Sequence, residues 1–139
     1  MERKLVATGT AVLALAIVGC GSTGPMTRAE FTKQANVICT HRQALLRAAQ
    51  TQHPGDVAAI VAADYPVLKD AVRKLEALRP PAALKSDFAS VMAFERLQVR
   101  AAEYYRRTGR YLTTSTEDGP PLHRHEAMRA QMGMTACNL

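Results

Sequence analysis

The chain has 139 residues and a formal net charge of +6, with no tryptophan and only 5% aromatic residues. That length admits one domain, which buries around two-thirds of the surface its unfolded chain exposes. Abundant alanine beside scarce aromatics suits helices packed closely through small side chains. No CxxC and no other metal-ligand spacing occurs, which excludes the common zinc modules.

Arg3 and Lys4 form a short basic segment, and the fourteen residues from Leu5 to Val18 carry no charge. As a helix they would span about 21 Å, short of the hydrocarbon core of a bilayer. A removable secretory leader therefore fits better than a permanent transmembrane helix, and Gly19 supplies the small residue at the cut. Ile17-Val18-Gly19-Cys20 resembles the lipobox of bacterial lipoproteins. The resemblance implies cleavage between Gly19 and Cys20 and a diacylglyceryl group, with fatty chains of the palmitate type, on the Cys20 sulfur. The alternatives are an ordinary secretory signal with Cys20 near the cut, or an uncleaved anchor. One acyl chain binds a membrane only marginally, and two meet the requirement for stable anchoring. The expected organisation is a signal peptide over 1–19, a lipidated cysteine and flexible linker over 20–26, and a helical domain over 27–139. The corresponding localisation is the cell membrane, lipid-anchored on the extracytoplasmic face.

Removing the leader changes the net charge to +5 and leaves Cys39 and Cys137 as a pair once Cys20 carries lipid. An oxidising compartment permits that pair to close, and a loop of roughly 100 residues is worth about 4.7 kcal/mol in the chain-entropy model. Two separate thiols, or Cys39 as a plain buried small residue, are the alternatives. The Gly-Ser-Thr-Pro linker reaches only about 13 Å on average as a coil, which keeps the domain close to the membrane.

The first domain helix opens on Thr27-Arg28-Ala29-Glu30, a capping box. Its apolar stripe runs through Phe31, Ala35, Ile38, Leu45 and Ala49, interrupted by Arg42 and flanked by Cys39. The helix is expected to stop near Gln50. A second helical pattern starts after Gly55, with Asp56 as N-cap, an apolar face of Val57, Ile60, Val61, Leu68, Val72, Leu75 and Leu78, and Pro66 in its middle. A proline costs an uninterrupted helix about 3 kcal/mol, so the sequence predicts a kink, or two short helices with Asp64 capping the second. Arg79-Pro80-Pro81 ends the pattern. The third helix is expected from Ala82 to Thr108, with Leu84, Phe88, Val91, Leu97, Ala101 and Tyr104 or Tyr105 inward and Gly109 as its stop. A polar loop over 110–119 leads to Pro120-Pro121 and a short fourth helix with Leu122, His125 or Glu126, Met128 and Met132 along it. Gly133 closes that helix before the chain reaches Cys137. No alternating β pattern appears, so the fold class is all-α, a small antiparallel bundle of about four helices.

Thr27-Arg28-Ala29-Glu30-Phe31, followed by Ala35-Asn36-Val37-Ile38-Cys39, is similar to the opening of a group of small exported actinobacterial proteins. Leu78-Arg79-Pro80-Pro81 and Gly133-Met134-Thr135-Ala136-Cys137 resemble the middle and end elements of the same group. This chain departs from it in carrying Asn36 for the usual Asp and Met134 for the usual Leu. The resemblance implies a disulfide-bridged helical lipoprotein and lends no biochemical activity.

No Ser-His-Asp, Cys-His or paired-carboxylate arrangement stands out, so no catalytic residue, cofactor or enzymatic activity is expected. Asp64, Asp70 and Glu76 read as caps and surface charges. His123 and His125, two apart, point to different sides of a helix and cannot readily share one ion; His41 and His53 lack ligand spacing. Arg96, Arg100, Arg106, Arg107 and Arg110 cluster towards the end of the third helix. They suit anionic lipid headgroups or an acidic envelope protein, each worth about 1 kcal/mol near a charged surface, although a solvated helix face is the plainer reading. Nucleic acid does not suit a tethered exported domain. Tyr104, Tyr105 and Tyr111, with Met128, Met132 and Met134, suggest either core packing or an apolar pocket. Two functions are compatible with these features: a membrane-anchored, non-catalytic interaction module, or a carrier of a small apolar ligand or lipid held between helices.

Overall fold

The computed structural model describes residues 24–112 and 122–138. The expected leader, Cys20 and the residues just after it lie outside the described residues, as do residues 113–121 of the long loop. Among the described residues there are four α-helices: α1 (Arg28–Gln52), α2 (Val57–Glu76), α3 (Lys85–Thr108) and α4 (Leu122–Gln131). Single 3-10 turns, Ala82–Leu84 and Thr135–Cys137, precede α3 and follow α4. Among the described residues there is no strand, and α2 packs between α1 and α3 while α4 packs on α3. The fold is the small all-α antiparallel bundle that the helical periods predict.

The helix ends are set by local chemistry. The Thr27 N–H donates to Glu30 Oε2 at 2.9 Å, and the Glu30 N–H donates back to Thr27 Oγ1 at 3.2 Å, completing the capping box. The Thr27 hydroxyl also donates to Glu30 Oε2, at 2.7 Å, and this bond, with the one from the Thr27 N–H, holds the Glu30 carboxyl below its usual value. Asp56 Oδ1 accepts from the Ala59 N–H at 2.9 Å. Gly109 ends α3 at φ 67°, a left-handed conformation that glycine adopts without steric cost. After α4, the Met134 N–H reaches the Arg129 carbonyl and the Gly133 N–H that of Ala130, at 2.8 and 2.9 Å. This is a Schellman turn with Gly133 at its left-handed position, φ 77°.

The helix through Pro66 is one element, Val57–Glu76, where two short helices were one expectation. Proline removes the bond to the carbonyl of Ala62, but both residues lie on the exposed face, where that carbonyl is open to solvent. Asp64 consequently caps nothing; it sits inside the helix and turns towards the bundle.

The apolar core gathers in the half of the bundle where α1 and α3 begin. Phe31 and Phe88 meet edge to face with centroids 5.1 Å apart, among Val91, Leu68, Leu75, Met132 and Met134. Cys39 and Cys137 are joined in a disulfide across a sequence separation of 98, which ties the chain's end to α1. Around that bond Asn36 donates to the Gly133 carbonyl at 2.9 Å and accepts from the Ala136 N–H at 3.0 Å. Gln43 donates to the carbonyls of Ala136 and Asn138 at 2.7 and 2.6 Å. On α1 the buried stripe runs Phe31, Ala35, Cys39, Arg42 and Ala49, while Leu45 is 40% exposed. The residue that interrupts the apolar pattern is therefore inside, and the leucine expected there is outside.

Candidate functional site

Each of the four helices sends one charged side chain into a single buried layer beside the core. Arg129 of α4 donates through Nη2 to Glu95 Oε1 of α3. Arg42 of α1 lies between Glu95, 3.7 Å from Nη1, and Asp64 of α2, 3.9 Å from Nη2. All four are largely withdrawn from water, with side chains 1–15% exposed. The layer is formally neutral, two guanidinium groups against two carboxylates. Burial pushes the Asp64 carboxyl above its usual range, and Arg42 pulls it part of the way back. His125, only 1% exposed, stacks on Phe94 with centroids 4.2 Å apart. The Arg129 guanidinium lies 5.6 Å from the centre of the same ring. Without a nucleophile, this layer positions the helices, and Arg42 at its edge also borders a cleft between α1 and α2.

The surface arginines form a different arrangement. Arg96 and Arg100 of α3 face Lys69 and Arg73 of α2 across a cleft of about 280 Å³ floored by Val72 and Val99. Arg96 donates to Glu76 Oε1 at 2.6 Å, and Arg73 to Asp70 Oδ1 at 2.6 Å. Among the described residues no carboxylate pairs with Lys69, Arg100 or Arg106. The Arg106 guanidinium instead covers the Tyr65 ring at 4.4 Å, with the Lys69 ammonium 5.3 Å from the same ring. Arg107 follows Arg96 and Arg100 along the outward stripe, and Arg110 is exposed just beyond Gly109. Arg96, Arg100 and Arg106 are thus brought together with α2, while Arg107 and Arg110 extend the positive surface past it.

No family model, curated protein or solved structure matches the chain.

Among the described residues no group of three or more His, Cys, Asp and Glu side chains is placed to hold a metal ion. His41 is exposed on α1, His53 half-buried at its end and His125 buried on α4. The Tyr and Met rows do not share a pocket: Met132 and Met134 are fully buried in the core, whereas Tyr111 is 71% exposed. Sequence reasoning misses Lys69, Arg73 and Tyr65 as members of the basic face. Their spacing of four residues, Tyr65-Lys69-Arg73, is the signal that places them on one stripe of α2. It also misses Glu95 as a core residue and mistakes Asp64 for a cap. The clue there is Arg42, a charge at a core register that needs a carboxylate facing it.

Proposed function

We propose that this chain is an exported lipoprotein anchored through the Cys20 sulfur on the extracytoplasmic face of the cell membrane. Its helical domain works there as a non-catalytic binding module. The observation that carries the reading is the basic α2–α3 face, where Lys69, Arg100 and Arg106 remain unmatched by described carboxylates. Unmatched cations around an apolar floor are available to an acidic surface without first giving up an internal partner.

Geometry favours an acidic envelope protein over lipid headgroups. The Met26 N–H donates to the Arg79 carbonyl at 2.8 Å, which fixes the chain's entry beside the start of α3. Cys20 lies only six residues before that point, a reach of about 20 Å at full extension. Arg106 stands about 31 Å further along the α3 axis, and a membrane's surface potential decays within about 10 Å. With the domain upright, the outer part of the basic face looks away from the bilayer. Chemical cross-linking in intact membranes, followed by purification, is expected to recover a discrete acidic partner. Changing Arg96, Arg100 and Arg106 to Ser should lower that recovery about tenfold, a loss of 1.4 kcal/mol. Undiminished recovery by the triple variant would refute the role of this face.

A further inference from the structure

A second cleft, of about 430 Å³, lies between α1 and α2 and shares no lining residue with the basic face. Its volume falls within the range of small-molecule sites. The walls are aliphatic, Val37 and Ile38 from α1 and Val67 and Ala71 from α2, and Val37 is 63% exposed at the rim. Arg42, Lys74, His41 and Asp70 supply the polar part. Asp70 accepts from Lys74 and from Arg73, each at 2.6 Å, and those bonds hold its carboxyl below the usual range. Its charge is therefore already matched twice.

Arg42 is the independent observation. It is 8% exposed, and its buried Nε has no hydrogen-bond partner. Its two carboxylate neighbours lie at 3.7 and 3.9 Å, too far for hydrogen bonds. A buried guanidinium with five donors and no short bond retains its capacity to bind an anion.

We propose that the α1–α2 cleft binds an aliphatic carboxylate, its chain lying against Val37, Ile38, Val67 and Ala71 and its head held by Arg42 and Lys74. Asp70 is shared between Lys74 and Arg73, which leaves one net positive charge beside the cleft and suits a monoanion better than a doubly charged phosphate. The site is separate from the α2–α3 face and stands or falls without it.

A decanoic acid analogue carrying a terminal diazirine, photolysed with the full chain in native membranes, tests the proposal. The matched alcohol serves as the uncharged control. Labels mapped by mass spectrometry are expected on the segments holding Val37 and Val67, with the acid labelling about tenfold more than the alcohol, the equivalent of 1.4 kcal/mol. Val37→Asp, at an exposed position, and Lys74→Met should each cut acid labelling severalfold while leaving the helical circular dichroism unchanged. Equal labelling by acid and alcohol, labels spread over α3 and α4, or undiminished labelling of Val37→Asp would overturn it.

Discussion

Glu95 joins the two arginines of the buried layer, and its side chain is only 4% exposed. Removing it leaves two guanidinium groups in the core with Asp64 as their one remaining carboxylate, at 3.9 Å from Arg42. Glu95→Ala is therefore expected to cost about 3–5 kcal/mol, as single removals from buried ion pairs do. Replacing the layer together, Arg42→Met, Asp64→Leu, Glu95→Leu and Arg129→Met, should leave stability near or above the wild-type value. Urea denaturation of the two variants checks this, and equal destabilisation would show that the layer contributes net stability. Asp64 adds a pH signature. Its folded-state pKa is raised above the ordinary 3.8 by burial, so the folded state holds its proton more tightly than the unfolded state. The contribution is favourable below 3.8 and is lost as pH rises through the raised folded value. Asp64→Asn removes that loss, so the stability difference between variant and wild type should shift towards the variant as pH rises over this window. Thermal melts across the window measure it, and a constant difference would contradict the assignment.

Among the elements, α4 is the shortest helix, ten residues, and is held by the segment on its C-terminal side. The Schellman turn, Asn36, Gln43 and the disulfide fix its end against α1. Gly133 is needed twice, for its φ of 77° and because a Cβ there would stand 2.9 Å from Thr32 Cγ2. Gly133→Ala should destabilise the fold by about 1–2 kcal/mol, measured by urea denaturation with the disulfide intact; an unchanged midpoint would count against this packing. Much of this level is legible in the sequence. The Thr27–Glu30 box, the Asp56 cap, the Gly109 and Gly133 stops and the Cys39–Cys137 bond follow from residue type and position. The placements of Arg42, Asp64 and Leu45 do not, because a 3.6-residue period ranks residues by polarity and cannot see a partner on another helix. A buried arginine is stable only where a carboxylate meets it, and that meeting is tertiary. The basic face is half legible for the same reason: its α3 arginines are close in sequence, but their α2 neighbours join them only on packing.

At the scale of the whole molecule, the bundle is unequal along its length. The half where α1 and α3 begin holds the aromatic pair, the methionines and the disulfide. Beyond the charge layer, Ile60, Val61, Leu97, Tyr104 and Tyr105 are only half-buried. Amide exchange should therefore be slowest around Phe31, Leu75 and Val91 and faster near Ile60 and Tyr104, with openings of the outer half below the global unfolding energy. Uniform protection would contradict this gradient. The proposed anchor would leave the firm half nearest the membrane and the more yielding, basic half facing outward, towards the proposed partner. The most direct test of that anchoring is intact-mass spectrometry of the protein extracted from its own membranes. A chain beginning at Cys20 with a diacylglyceryl group on that sulfur is the predicted result; a chain that retains residues 1–19 with an unmodified Cys20 would contradict it.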